Sequence, residues 1–259
     1  MSTFTPASDL VLKPRKLTGR DNPHVDVPTY IAEWPWLEQL LYTIQKKDTG
    51  EQLGRIVCQF IDAKRVPGNM FFRQMDAVSD DLSNLASAVF TSNGRLNTEV
   101  RESGLCLWDA EDARKIYDSP IVYIQEIQVS EGWRGKGIGS WAVTQLFETA
   151  KVKGIGSSYL FTWPSILGRY DPPPRNHANP GAPPTKEDQD AWEAKRDPII
   201  KFFRSNGFRR PAHTNFFCLA KDPKHCSRGI AADEDAEYRP RPAPENEVEM
   251  LRNILTMFN

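Results

Sequence analysis

Hydrophobic and polar residues follow strand-like patterns at several places along the chain. Residues 40–45 and 53–63 are rich in β-branched and aromatic side chains, and turn-forming residues at 48–50 separate them, which predicts an antiparallel hairpin. Residues 120–129, with the sequence PIVYIQEIQV, are dense in isoleucine and valine and predict a buried central strand. Shorter runs of the same kind predict strands at residues 105–108, 157–164 and 213–220.

Other segments repeat hydrophobic residues every three or four positions, as amphipathic helices do. The repeats within 76–90, 138–154 and 246–258 each place their apolar residues on one helical face, and Gly154 would end the second helix. A further helix is predicted from about residue 190, with a kink or a new start at Pro198 and a C-terminal cap at Gly207. The apolar faces of the first three helices consist of Val78, Leu82, Leu85 and Val89; of Ile138, Trp141, Ala142, Leu146 and Ala150; and of Val248, Leu251, Leu255 and Phe258.

The order of these elements predicts an α/β fold with a mixed, twisted sheet and helices on both faces. The strand at 120–129, the following helix and the strand at 157–164 form a right-handed crossover, so these two strands should be parallel. We expect an N-terminal arm at 1–36 with little regular structure, and a main domain at 37–221. The domain contains a long proline-rich insertion after the fifth core strand, at about 164–190, which predicts a lid or wall near the active site. A C-terminal extension at 222–259 combines a flexible polar tail with the terminal helix.

Composition narrows the class of protein without identifying it. A formal net charge of -1 provides no global field for binding nucleic acid or an anionic membrane. No apolar run approaches the roughly 20 residues needed to cross a bilayer, so we expect a cytoplasmic or nuclear protein without a membrane partner. The four cysteines form no metal-binding spacing, and no metal is predicted.

The most informative segment is the loop between the central strand and the helix that follows it, VSEGWRGKGIGSWA. Gly135, Gly137 and Gly139 allow the backbone to bend closely, and the free N–H groups of the helix N-terminus attract anions. Arg134 and Lys136 add positive charge at the edge of the loop. This combination predicts a binding site for a diphosphate.

Three phosphate-binding motifs compete for this loop. The P-loop pattern fails, because Lys136 is followed by glycine rather than by serine or threonine. A dinucleotide fingerprint fits Gly137, Gly139 and Ala142, but the next strand offers no acidic residue for a ribose. The acyl-CoA pattern R/Q-x-x-G-x-G/A fits Arg134, Gly137 and Gly139.

At this point the chain resembles the GNAT superfamily of N-acetyltransferases. The acyl-CoA loop of that family lies between its fourth strand and its third helix. PIVYIQEIQV resembles the family's bulged fourth strand, and FFRSNGF resembles the end of its fourth helix, usually F-Y-x-x-x-G-F. The resemblance covers residues 120–221, apart from the insertion. The N-terminal part of the chain differs from the family pattern. Here a hairpin precedes a single predicted helix, whereas two helices follow the first strand in the family.

The resemblance implies acetyl-CoA as cosubstrate and assigns its binding residues. The fourth-strand backbone would bind the pantetheine arm, the loop and the first helical turn would bind the diphosphate, and Phe203 stands where the family often has a tyrosine that protonates the leaving thiolate. Phenylalanine cannot donate that proton, and Tyr170, Asp171 and His177 of the insertion are alternative acids. The implied cofactor-binding residues are Ile127, Gln128, Val129, Arg134, Gly135, Lys136, Gly137, Ile138, Gly139, Ser140 and Phe203.

Acetylation of an amine also needs a base. A lysine-like amine is protonated at pH 7, and presenting its free base costs about 4 to 5 kcal/mol. Glu126 is the catalytic candidate on the fourth strand, because its neighbours Ile124 and Ile127 would give it an apolar setting in which a carboxylate is a stronger base. The alternative is that Glu126 is a structural partner of a nearby arginine or lysine.

The sequence therefore predicts transfer of an acetyl group from acetyl-CoA to a primary amine by direct attack. Two other hypotheses stay open: a catalytically silent CoA-binding or scaffold protein, which Phe203 favours, and a protein acetyltransferase acting on lysine side chains or N-termini. The acceptor, a small molecule or a peptide, and the oligomeric state cannot be read from the sequence.

Overall fold

A computed structural model of the protein describes residues 4–18, 34–102, 109–165 and 184–239. Six strands form one sheet in the same order as in the chain. β4 and β5 are parallel, and every other neighbouring pair is antiparallel. The strands are β1 (Leu10–Lys16), β2 (Leu37–Lys46), β3 (Gln52–Ile61), β4 (Ile121–Val129), β5 (Tyr159–Thr162) and β6 (Phe217–Ala220). The mixed sheet and the parallel β4–β5 pair confirm the predicted fold class.

Helices cover both faces of this sheet. The first face packs on the helices between β3 and β4, with Phe71, Leu82, Val100 and Ile116 in its core. The second face packs on the helices after β4 and β5. The described helices are α1 (Pro6–Asp9), α2 (Phe71–Asp76), α3 (Asp80–Val89), α4 (Thr98–Glu102), α5 (Ala110–Asp118), α6 (Ile138–Gln145), α7 (Ala150–Gly154), α8 (Lys186–Ser205) and α9 (Cys226–Gly229).

The N-terminal arm takes part in the sheet, which the sequence pattern did not predict. β1 pairs with β2 along its whole length as the edge strand. Leu10 and Leu12 point into the core of the second face, whereas residues 13–16 are exposed. This half-polar pattern is typical of an edge strand and is easily read as irregular.

The predicted hairpin is β2 and β3, and it is confirmed. The predicted amphipathic helix is α3, in which Leu82, Leu85 and Val89 are buried and Ser79 caps the first turn through a hydrogen bond from the Leu82 N–H. The expectation of a single helix before β4 was wrong, because α2, α4 and α5 also lie there. α2 and α4 are shorter than two turns, too short to give a periodic signal.

Two other helix predictions need correction. The predicted helix at 138–154 is divided into α6, a 3₁₀ turn at Leu146–Glu148 and α7, and Ala150 is exposed. α8 begins four residues earlier than expected, because Thr185 and Asp188 form a reciprocal capping box. It continues through Pro198 without a new start, and Gly207 follows it with a φ of 82°.

The tail after β6 is ordered against the domain as far as residue 239, which corrects the prediction of a flexible segment. The Asp235 carboxylate, whose side chain is 1% exposed, accepts from Arg204 Nε and from the Arg210 backbone N–H, both at 2.8 Å. Arg209 donates to the Ile230 carbonyl at 2.6 and 2.8 Å. Burial lowers the pKa of Arg210 to about 10. These arginines fix the tail beside α8.

Several predictions lie outside the described residues. They concern the strand at 105–108, most of the proline-rich insertion with Tyr170, Asp171 and His177, and the terminal helix at 246–258. Within the described segments, no helix combines the length and the apolar content required to cross a bilayer. The same segments contain no group of three or more His, Cys, Asp or Glu residues that could hold a metal ion.

A buried polar network ties α5, β5 and the tail together. Asp112 accepts hydrogen bonds from the Tyr159 hydroxyl and from His225 Nε2, the latter at 3.0 Å. It also completes the capping box of α5 with Asp109. The other ring nitrogen of His225, Nδ1, lies 2.8 Å from Ser227 Oγ and accepts from the Ser227 N–H. One carboxylate therefore holds three separate segments.

We expect Asp112→Ala to lower the free energy of unfolding by about 3 kcal/mol, because it removes the carboxylate that accepts from two buried donors and also removes a cap. Tyr159→Phe removes one donor and leaves no polar atom of that side chain to be satisfied. It should therefore lower the free energy of unfolding by only about 1 kcal/mol. Urea unfolding measures both. Lys115→Ala, on the exposed side of α5, is the control and should change the value by less than about 0.5 kcal/mol. Equal effects of the three variants would contradict the role given to the network.

Candidate acyl-CoA site

β4 and β5 separate after only three residue pairs. The last pair is Ile124 with Thr162, where β5 ends, whereas β4 continues to Val129. Thr162 is buried, and its hydroxyl donates to the Ile124 carbonyl at 3.0 Å. The backbone edge of β4 beyond Ile124 therefore has no strand beside it in the described part of the chain. It can offer hydrogen bonds to an extended ligand.

β4 also contains an irregularity at the point of separation. On its other side it pairs with β3, where Val57 is opposite Glu126 but Cys58 is opposite Ile124. Gln125 is thus the extra residue of a β-bulge, which bends a strand and increases its twist. This bulge agrees with the resemblance of residues 120–129 to the bulged fourth strand of the GNAT family.

The glycine loop begins where β4 ends. Gly135 and Gly137 have φ values of 73° and 74°, in the left-handed region that favours glycine. A Cβ atom placed on either would have no atom of another described residue within 4 Å, apart from its chain neighbours. Gly137 is the N-cap of α6, whose first N–H groups lack intrahelical acceptors. The loop forms an open, positively polarised surface that fits the diphosphate of CoA.

Gly139 has a different role from its two neighbours. A Cβ atom there would lie 3.1 Å from the ring of Phe202 on α8. Its lack of a side chain lets α6 and α8 approach each other. The sequence motif groups the three glycines together, but in the structure two shape the loop and the third packs two helices.

The basic residues of the loop are held by their neighbours. Arg134 Nε donates to the Val129 carbonyl at 3.0 Å. Lys136 Nζ lies 4.3 Å from the centre of the Trp133 ring, and Lys46 Nζ, from the end of β2, lies 4.2 Å from the same ring. These contacts place three positive charges near the loop. Lys46 had no signal in the sequence, because it belongs to a distant strand.

The other predicted cofactor residues lie along β4 and in the first turn of α6. Ile127 and Val129 pack against the core of the second face, and Gln128 is exposed. The Ile138 side chain is buried, so only its backbone can contact a ligand, and Ser140 is half-buried. The structure brings these residues together around the separated part of β4 and the loop.

Phe203 is buried in the core of the second face. Its ring lies 5.1 Å from those of Phe202 and Phe208, in edge-to-face arrangements. It is therefore a packing residue in this chain. Ser205, which carries a hydroxyl on the same turn of α8, is exposed and donates to the Phe202 carbonyl at 2.8 Å.

Glu126 lies on the separated part of β4 and forms an ion pair. Its Oε1 is 2.8 Å from Arg55 Nε on β3, and the two side chains are 11% and 28% exposed. The apolar setting expected from Ile124 and Ile127 is therefore not what surrounds this carboxylate. A catalytic role for Glu126 stays a prediction, and the structural partner that was its alternative is present.

The sheet that opens between two parallel strands, with a glycine loop at the N-terminus of a helix, defines a GNAT-type acyltransferase fold. Residues 99–165 match the acetyltransferase (GNAT) family. This segment contains β4, the loop, α6 and β5, and its match confirms the resemblance inferred from the sequence. The match spans about a quarter of the chain and supports acetyl transfer as the general activity.

A search of curated proteins finds no match to this sequence. Among solved structures, the crystal structure of a tyrosine-to-phenylalanine mutant of KacT is similar at 11% identity, covering 83% of this chain and 96% of that one, with a TM-score of 0.35. Similarity of that degree does not define a common fold. The assignment rests on the family match and on the sheet itself.

A second carboxylate near the separation point escaped the sequence reasoning. Asp81, in the first turn of α3, is half-buried against the first face. Burial, with a smaller contribution from neighbouring Asp80, raises the pKa of Asp81 from 3.8 to about 6. Burial, and then the charge of Asp81, raises the pKa of the Tyr123 phenol on β4 well above its usual value. Asp81 thus lies close to Tyr123, the β4 residue that directly precedes the final β4–β5 pair.

The raised pKa of Asp81 predicts a pH dependence of stability. The folded protein binds this proton more tightly than the unfolded chain does, so ionisation of Asp81 costs stability above pH 6, and the cost disappears as the pH falls from about 6 to 3.8. We expect Asp81→Asn to be more stable than the wild type at pH 7, by up to about 3 kcal/mol, and equal to it near pH 4. Urea unfolding at several pH values measures the difference. A difference independent of pH would contradict the assignment.

Proposed function

We propose that the protein is an acetyl-CoA-dependent N-acetyltransferase that acts on a primary amine. The observation that carries the proposal is the open edge of β4, after the Ile124–Thr162 pair, directly before a left-handed glycine loop and a helix N-terminus. An extended arm with a diphosphate at one end matches this succession of backbone donors. The GNAT match over the same residues supports acetyl transfer.

Each part of the site has a task in this mechanism. The N–H groups at the start of α6 and the loop at Gly135–Gly137 bind the diphosphate, with Arg134 and Lys136 beside it. The β4 backbone from Glu126 to Val129 binds the pantetheine arm and directs an N–H group to the thioester carbonyl, where negative charge develops. Holding both reactants in line removes the entropic cost of a bimolecular encounter, and direct attack needs no covalent enzyme intermediate.

The amine acceptor, a small molecule or a peptide, would enter from the first face of the sheet. The second face at this level is occupied by α6 and α8, packed through Gly139 and Phe202. No nucleic acid, membrane or metal is part of the proposed reaction. We expect the protein to work in the cytoplasm or the nucleus.

One observation favours a second candidate function, a catalytically silent CoA-binding protein of the same fold. Phe203 occupies the place of the tyrosine that often protonates the leaving thiolate, and it is buried in the core. Release of CoA from acetyl-CoA by any member of a panel of amines, polyamines, amino sugars and peptides would exclude this candidate. Tight CoA binding with no release would support it. Activity on peptides alone would indicate a protein acetyltransferase.

We expect Gly137→Leu to weaken CoA binding at least 100-fold, a loss of about 3 kcal/mol, because the side chain would fill the space over the loop and disfavour its left-handed backbone. Titration calorimetry with CoA measures the change. Gly156→Leu is the matched control: Gly156 has a φ of 67°, also has open space around its Cβ position, and lies beyond α7. It should lose a similar amount of stability and keep its CoA affinity.

An unchanged CoA affinity in the Gly137 variant would place the diphosphate elsewhere. Equal losses in both variants would mean that backbone strain, and not occupation of the loop, is responsible.

A further inference from the structure

A cavity of about 480 Å³ lies on the first face of the sheet, at the end of β5. Trp163, which lines it, directly follows Thr162, the last residue of β5. Phe216, which also lines it, directly precedes Phe217, the β6 residue opposite Thr162. Because Thr162 is also opposite Ile124, where β4 and β5 separate, the cavity begins at the level of the candidate acyl-CoA site.

His213, on the segment between α8 and β6, lines the same cavity. Its ring nitrogen Nδ1 lies 2.9 Å from the carbonyl oxygen of Glu237. A carbonyl oxygen only accepts, so the hydrogen of the neutral ring is on Nδ1 and the lone pair is on Nε2. Within the described segments, no hydrogen bond or ion pair engages Nε2. The ring therefore has a nitrogen base available.

The position of His213 is fixed by its backbone as well as by its ring. The Arg239 backbone N–H donates to the His213 carbonyl at 3.0 Å, so the tail bonds both parts of this residue. Ala212, directly before it, is buried and has a φ of 49°, a left-handed conformation that is disfavoured for a residue with a side chain. Residues in such conformations cluster at functional sites, where the surrounding structure holds them.

The other groups around the cavity come from several elements. Glu99 of α4 contributes a carboxylate and is exposed, and Arg239 and Tyr238 of the tail contribute a guanidinium and a phenol. The α3 residues in the lining are neutral. The indole Nε1 of Trp163 is buried and has no acceptor among the described residues. A ligand that brings an oxygen atom to this wall would satisfy the indole N–H.

We propose that this cavity binds the acceptor amine and that His213 is the catalytic base that removes its proton. The inference rests on the proposed acetyltransferase function, and it gives His213 the role predicted for Glu126, whose carboxylate is paired with Arg55. An imidazole suits this role because it exchanges a proton near neutral pH. The indole N–H of Trp163 narrows the substrate class to a primary amine that also carries an oxygen acceptor, as an amino sugar or a peptide does.

The proton and bond changes of this reaction balance. Nε2 of His213 takes one proton from the ammonium group, and the neutral nitrogen forms a bond to the thioester carbonyl carbon. The C–S bond breaks, and CoA leaves as the thiolate. The nitrogen, now positively charged, gives a second proton to the thiolate, directly or through water, so no separate acid at position 203 is needed. The imidazolium of His213 returns its proton to solvent.

The experiment measures CoA released from acetyl-CoA with three amines: glucosamine, a lysine-containing peptide and spermidine. His213→Asn is the test variant, because the asparagine amide can replace Nδ1 as the donor to Glu237 but has no basic nitrogen. It should lower kcat/KM at least about 100-fold at pH 7.5, with CoA affinity unchanged in calorimetry. His225→Asn is the matched control, since His225 bonds Asp112 and does not line the cavity. It should lose stability in urea and keep a rate within about 3-fold of the wild type.

The pH profile distinguishes a base from a residue that only anchors the tail. In the wild type His213 accepts the proton of the bound ammonium group, so log kcat/KM should be level across the neutral range. In His213→Asn only amine that is already neutral in solution can react, so log kcat/KM should rise by about one unit for each pH unit up to the pKa of the amine. The loss of rate should therefore shrink at alkaline pH.

Trp163→Phe tests the cavity separately from the base. Phenylalanine keeps an aromatic wall and removes the indole N–H, so the KM of glucosamine or of the peptide should rise about 10-fold, with kcat and CoA affinity within about 3-fold of the wild type. The same two amines should have a higher kcat/KM than spermidine, which has no oxygen atom.

Full rate in His213→Asn, or a loss that is equal at every pH, would overturn the role of His213. Loss of the level range in Glu99→Gln alone would assign the base to Glu99 instead. An unchanged acceptor KM in Trp163→Phe, or a preference for spermidine, would overturn the substrate class. If the wild type binds CoA but releases none with any amine, the proposed acetyl transfer fails, and the role of His213 fails with it. If CoA does not bind, the loop assignment is the part that is wrong.

Discussion

The separation of β4 from β5 is the constraint on which the rest of the site depends. Buried backbone N–H and C=O groups need partners, and a central strand normally finds them on both sides. Here β5 ends at Thr162, whose side-chain hydroxyl donates to the Ile124 carbonyl, and β4 continues with no described strand beside this edge. An interior strand edge of this kind favours a ligand that can replace the missing strand, as the amide-containing pantetheine arm of the proposed cosubstrate would.

The two faces of the sheet are packed differently around this opening. On the second face, α6 and α8 pack closely through Gly139 and Phe202, which fixes the helix N-terminus and the glycine loop relative to β4. On the first face, α3 and the segment after α8 leave a cavity beside Trp163. The arginines that bind Asp235 hold the tail beside α8, and this fixes the position of the residues at the rim of the cavity.

Local sequence signals predicted the parts of the fold that local interactions determine. The isoleucine-rich β4, the loop glycines, and Gly207 after α8 all express preferences of single residues or short runs, and they were found. β1 was missed because an edge strand with four exposed residues has no apolar alternation. The pairing of Arg55 with Glu126 was also beyond reach, since 71 residues separate the two, and only strand register brings them together.

The same reasoning explains why the surroundings of Glu126 and Asp81 could not be predicted from the sequence. In the sequence, Glu126 stands between hydrophobic residues, whereas Asp81 follows Asp80 at the start of a helix and resembles an ordinary N-terminal acidic residue. Folding reverses the two environments: Glu126 gains an arginine and Asp81 gains a hydrophobic wall. The pKa of a carboxylate rises where tertiary packing removes water without supplying a cation. Sequence can therefore predict a glycine loop, which is a local structure, but the pKa of a carboxylate depends on which distant elements pack around it.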